Sequence, residues 1–132
     1  MPVSCGSCQR QVRSMRKNSR LYHDTKWIAA RSRYLAEHPH CLGCQAIGQQ
    51  AQATVIDHII PHFGNVARFW DVANWQPCCD WHHNSIKATL EKKWLRAELQ
   101  SDALALNSVE AIALTRRRWR VAIAIDGWPM GG

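Results

Sequence analysis

No stretch of this 132-residue chain approaches the roughly 18 consecutive apolar residues that a membrane helix needs, so a soluble protein is expected. The first stretch, MPVSCGSCQRQVRSMRKNSR, is basic and lacks the hydrophobic run of a secretion signal, which makes the cytoplasm the expected compartment. Internal repeats and low-complexity tracts are absent, which excludes solenoids and biased linkers. Acidic residues are scarce: 10 Asp and Glu stand against 17 Lys and Arg, a net charge of +7. That imbalance favours a polyanionic partner, because covering phosphates releases condensed counterions. Tyr and Phe occur only twice each, and the seven Trp are better explained by a small core than by a base-stacking platform.

The length fits one domain with a modest core, short enough to benefit from a metal staple. Residues 1–20 carry no apolar periodicity and read as a flexible basic arm. Over 22–37, Trp27, Ile28, Tyr34 and Leu35 fall near helical spacing, with Asp24 or Thr25 as the cap and Pro39 as the stop. The β-branched run ATVIDHII (53–60) predicts a strand closed by Pro61, and 61–74 reads as loop. A helix is expected over 82–100, and another from Asn107 or Ser108 through Arg118. The tail VAIAIDGWPMGG suggests a short strand and a turn at Asp126–Gly127.

The six cysteines come in close pairs: Cys5/Cys8, Cys41/Cys44 and Cys78/Cys79. In a reducing compartment such pairs point to metal rather than to disulfides. Cys41-Leu-Gly-Cys44 can place two thiolates on one tetrahedral zinc ion, and Cys79 with His82, at the start of a helix, can supply the other two ligands. The alternative register takes Cys78 with His82 or His83, and spacing leaves both open. Cys5-Gly-Ser-Cys8 lacks a second pair of ligands and reads as an incomplete site or as two free thiols.

Asp57-His58, at the end of the apolar strand, is a strange choice for packing. Adjacent strand residues face opposite ways, so one of the two must leave the core side. A carboxylate that binds a cation beside an imidazole that takes a proton would suit that divergence. Asn74 follows His58 by 16 residues, and His83 follows Asn74 by 9.

With those residues in place, YLAEHPHCLGC (34–44), ATVIDHIIPHFG (53–64), FWDVANWQPCCDWHH (69–83) and NSIKATLE (84–91) resemble the HNH endonuclease family, particularly its small phage-encoded members. The likeness runs from Trp27 to about Glu91. It implies an α+β protein: a ββα-metal core with a structural zinc, flanked by N- and C-terminal helices, the nuclease unit spanning 21–91 and a helical extension of the same domain spanning 92–132. By the resemblance, Asp57 and His83 bind the catalytic divalent ion, His58 is the general base, and Asn74 fixes the loop and orients His58. Many relatives place a cysteine where this chain has His82. Matching the distance from Asn74 assigns His82, with Cys41, Cys44 and Cys79, to zinc, and His83 to the catalytic ion, which can be Mg²⁺, Mn²⁺ or Ni²⁺.

The implied activity is hydrolysis of phosphodiester bonds in DNA, expected to be double-stranded, by nicking or double-strand cleavage. A phage or prophage setting within a bacterial cell, near the packaging terminase, belongs to the same implication. Candidate phosphate contacts are Arg31, Arg33, Arg68, Arg117 and Lys87. Lys87 lies one helical turn beyond His83 on the same face. Two other classes remain in view: a non-enzymatic zinc module that binds nucleic acid, and a toxin-like nuclease restrained by a partner protein.

Overall fold

The computed structural model describes residues 20–126. Its architecture is α+β, built around one small antiparallel sheet. In order come α1 (Thr25–Glu37), α2 (Leu42–Ala46), β1 (Val55–His58), α3 (Val66–Phe69), a 3-10 turn (Val72–Asn74) and β2 (Trp75–Cys78). A helix then opens as a π segment (His82–Lys87) and continues as α4 (Ala88–Leu95). A second 3-10 turn (Ser101–Leu104) leads to α5 (Val109–Asp126).

Two strands alone are marginal in water, so the faces of the sheet have to be covered. Strand alternation divides the side chains between two cores. Ile56 and Trp75 pack with Trp27 of α1 and with Phe69 in one cluster. Cys78 of β2 packs on the other side with Cys41, Cys44, Ile86, Leu90, Leu104, Leu106, Ala111 and Leu114. The strands register Val55 with Cys78, Asp57 with Gln76 and His58 with Trp75. Asp57 and His58 therefore leave β1 on opposite faces, one toward the π segment and the other toward α1.

Local signals account for the helix ends. The Asp24 carboxylate accepts from the Lys26 N–H and caps α1, which stops at Glu37, two residues before Pro39. Ser108 Oγ accepts from the Ala111 N–H at 3.0 Å and caps α5.

Several expectations need correction. The loop over 61–74 contains α3, capped by Asn65, and a 3-10 turn capped by Asp71. The helix expected to reach residue 100 stops at Leu95. There the Glu98 N–H turns back to the Lys93 carbonyl and Ala97 adopts a positive φ of 60°. Residues 121–126, expected as a strand, continue α5. Extending a helix that is already nucleated outweighs the weak β preference of Val and Ile. Arg20, the last residue of the expected arm, is helical, while the rest of that arm, with Cys5 and Cys8, and Gly127 of the expected turn lie outside the described residues. Among the described residues, no helix is long and apolar enough to cross a membrane.

Candidate functional site

A metal-ligand cluster lies where α2 meets the π segment. Cys41, Cys44, Cys79 and His82 bring their ligand atoms within 4.8 Å of one another. His82 Nδ1 lies 3.5 Å from Cys41 Sγ, 3.4 Å from Cys44 Sγ and 3.5 Å from Cys79 Sγ, and Cys44 Sγ lies 3.9 Å from Cys79 Sγ. A tetrahedral ion with Zn–S bonds of about 2.3 Å and a Zn–N bond of about 2.0 Å places S and N about 3.5 Å apart and two sulfurs about 3.8 Å apart. The four residues thus fit a metal ion such as zinc. Without an ion the three thiols share their hydrogens, the bonds within the cluster holding the Cys41 thiol below its ordinary value and the Cys44 thiol above it.

Two residues that sequence reasoning passed over complete this cluster. Gly43 leaves room for the His82 ring, into which a Cβ at that position would project. On the far side of the ring, His82 Nε2 lies 3.2 Å from Thr115 Oγ1, whose own hydroxyl donates to the Ala111 carbonyl at 2.7 Å. With its hydrogen committed, Thr115 accepts from His82 Nε2–H and leaves Nδ1 free to ligate. Cys78, the other register considered, is a buried core thiol that burial pushes well above its ordinary value, and it lies outside the cluster.

A cleft of about 420 Å³ is lined by Tyr22, Asp57, His58, His62, His83 and Glu91 among others. Asp57 divides its two oxygens. Oδ2 accepts from Gln76 Nε2 at 2.8 Å and from Lys87 Nζ at 3.0 Å. Oδ1 lies 3.2 Å from His83 Nδ1. Burial pushes the Asp57 carboxyl up, but the His83 bond, the Lys87 charge and the Gln76 bond outweigh it and leave the carboxyl below its ordinary value. His83 is held above its ordinary value, chiefly by the bond to Asp57.

His58 sits in an aromatic box, its ring stacked 5.9 Å from Trp27 and tilted against Phe69 at 4.9 Å. Burial is the main cause that holds it below its ordinary value, hence neutral near pH 7. Its Nε2 lies 3.0 Å from the Phe69 carbonyl, which can only accept, so Nε2 carries the hydrogen and Nδ1 keeps its lone pair. Trp75 Nε1–H donates to the same carbonyl at 2.8 Å.

The Asn74 side chain makes its hydrogen bonds to Ile60 rather than to the His58 ring, accepting from the backbone N–H at 2.9 Å and donating to the carbonyl at 2.8 Å. The loop is fixed by Asn74, and His58 is oriented by Phe69. Lys87, expected among the phosphate contacts, is 1% exposed. Its ammonium meets the His58 carbonyl at 2.8 Å, Asp57 Oδ2 at 3.0 Å and Glu91 Oε2 at 2.5 Å. Three acceptors saturate three donors, so nothing is left for a substrate phosphate.

Arg31, Arg33, Arg68 and Arg117 are exposed. Arg68 reaches the Pro61 carbonyl at the rim of the cleft, and Arg31 donates to the Thr54 carbonyl at 2.5 Å. Within the Arg116–Arg120 run, Arg118 is tied down on Ser85 of the π segment.

Gln76, Gly43 and Thr115 carried no sequence signal of their own. Gln76 becomes visible only once β2 is placed opposite β1, and Thr115 only once α5 is packed on His82. No family model, no curated protein and no solved structure matches the chain.

Proposed function

We propose that the chain is a metal-dependent endonuclease of the HNH type, hydrolysing phosphodiester bonds in DNA. The observation that carries this reading is the convergence of Asp57 Oδ1, His83 Nδ1 and the neutral His58 on one open cleft. Two ligands about 2.1 Å from an octahedral ion sit about 3.0 Å apart, close to the 3.2 Å between these atoms. The donor set, one carboxylate and one imidazole, suits a divalent cation such as Mg²⁺ or Mn²⁺ that keeps open positions for oxygen ligands. Held there, such a cation supplies positive charge to the phosphoryl oxygens and the leaving oxygen.

The residues of this chain do the rest. His58, with Nε2–H fixed on Phe69, takes a proton from the attacking water at Nδ1. Lys87 and Gln76 hold Asp57 Oδ2, so that only Oδ1 is offered to a cation. Asn74 fixes the chain just after His58 through both backbone groups of Ile60. A zinc ion on Cys41, Cys44, Cys79 and His82 would pin the start of the helix that carries His83. The basic surface, with Arg68 at the rim, suits the phosphate backbone of duplex DNA. A place in phage DNA processing belongs to the same proposal.

The test is conversion of supercoiled plasmid by zinc-loaded protein, with and without added Mg²⁺ or Mn²⁺. Cation-dependent nicking or linearisation supports an endonuclease and distinguishes a nick from a double-strand break. A folded, zinc-loaded protein that binds DNA and leaves it intact with every cation would instead be a binding module.

A further inference from the structure

Two groups on the cleft have no part in the reading above. Tyr22, just before α1, and His62, just after Pro61, meet with Tyr22 Oη 2.9 Å from His62 Nε2. His62 is 5% exposed, and its other nitrogen, Nδ1, accepts the Gly64 N–H at 3.1 Å. The turn that brings this N–H back onto the ring runs through Phe63, which takes a positive φ of 48°.

That second bond settles the direction of the first. A nitrogen that accepts a backbone N–H carries no hydrogen, so the single hydrogen of the neutral imidazole is on Nε2. Nε2–H therefore donates to Tyr22 Oη, and the phenol hydrogen has to go elsewhere. Among the described residues no acceptor takes it, and Tyr22 lines the same cleft as Asp57, His58 and His83. The ring is held by edge contacts with Phe69 at 5.1 Å and Trp27 at 5.7 Å, so the hydroxyl is placed rather than free to wander.

We propose that Tyr22 donates its hydroxyl hydrogen to a non-bridging phosphate oxygen of DNA lying in the cleft, and that His62 is the residue that turns it there. The proposal rests on the nuclease reading for its substrate class. Chemistry agrees with the role. Burial, then the nearby Asp57 and Glu91 charges, push the Tyr22 phenol up to about 12, so it is a donor throughout the working range. Burial also keeps His62 neutral, lowered to about 4, which preserves the arrangement near pH 7. A hydroxyl is a fitting donor here because it contacts a phosphate oxygen without adding a second cation beside the metal ligands.

The experiment compares wild type with Tyr22→Phe, His62→Ala and the double variant, all zinc-loaded and checked for unchanged Tm. Affinity for a fluorescein-labelled duplex is read by anisotropy in buffer free of Mg²⁺ and Mn²⁺, and plasmid cleavage is read separately with Mg²⁺. Phe keeps the ring contacts, so a packing role predicts no change. A phosphate contact predicts binding about tenfold weaker, the size of one charge-assisted hydrogen bond. His62→Ala should lose less than that, and should add nothing in the Tyr22→Phe background. Tyr22→Phe binding as tightly as wild type overturns the proposal, whatever its cleavage rate, and additive losses overturn the positioning role of His62. Wild type that binds but never cleaves, with Tyr22→Phe weakened, leaves the phosphate contact standing and removes the nuclease reading. Wild type that does not bind duplex overturns both.

Discussion

Asp57 Oδ1 and His83 Nδ1 face each other across 3.2 Å, with the other Asp57 oxygen already committed to Lys87 and Gln76. The partners differ in burial: Asp57 is 3% exposed and His83 42%. Removing either should abolish cation-dependent cleavage, but the costs to the fold should separate. Asp57→Ala leaves a buried ammonium short of a counter-charge and should destabilise by about 3 kcal/mol. His83→Ala should cost less, about 1 kcal/mol, because Asp57 keeps its bonds to Lys87 and Gln76. Urea titration of the zinc-loaded proteins reads the difference, and equal losses would contradict the division of roles.

Lys87 makes the opposite prediction to a surface lysine. Lys87→Met should leave duplex affinity unchanged at every salt concentration, because its ammonium is spent on Asp57, Glu91 and the His58 carbonyl. Its stability should fall by about 3 kcal/mol, with two carboxylates left facing each other. A weaker salt dependence of DNA binding in this variant would return Lys87 to the phosphate contacts.

The metal cluster predicts a graded series. Cys41→Ala should release zinc and lower Tm, since binding energy at such a site is folding energy. Thr115→Val removes only the acceptor for His82 Nε2–H and should weaken zinc binding about tenfold. Thr115→Ser should restore it. Gly43→Ala should be as damaging as loss of a ligand, because its methyl needs the space of the His82 ring. Competition with a chromogenic chelator measures all four. A Thr115→Val protein with wild-type zinc affinity would remove α5 from the metal centre.

Burial of His62 should make its contribution to stability depend on acid. The unfolded chain protonates His62 near 6.5, whereas the folded chain resists until about 4. Between those values the unfolded state binds more protons, so stability falls as pH falls and is recovered above 6.5. Burial gives His58 the same sign. The Tm of His62→Gln should decline less steeply over this window than that of wild type. Parallel profiles would mean that His62 titrates normally in the folded protein.

The parts of the site that were legible in the sequence are those that chemistry confines to particular spacings. Cys41, Cys44, Cys79 and His82 could be picked out because two-residue gaps suit one tetrahedral ion, and the structure brings these four together. Asp57-His58 stood out because two polar residues in an apolar strand have to diverge. Other parts depended on tertiary placement. β2 has no composition signal of its own, because Pro77 disfavours a strand, and it is tolerated opposite Ile56 where the edge is free. The π segment has no composition signature, yet His83 and Lys87 both reach Asp57 from it. Lys87 shares the His83 face, but its burial depends on Glu91 and on the His58 carbonyl. Phe69 orients His58 through its backbone, which no side-chain pattern can reveal.

In the proposed reaction His58 takes the proton of the attacking water, beside a cation held by Asp57 and His83. The most direct measurement is single-turnover cleavage of a labelled duplex by zinc-loaded wild type and His58→Ala, with Mg²⁺ or Mn²⁺ supplied. We expect His58→Ala to keep its zinc and its duplex affinity while cleavage falls by at least about a hundredfold, the contribution of a positioned general base. Cleavage by His58→Ala at the wild-type rate would contradict the assignment and leave Asp57 and His83 without a mechanism.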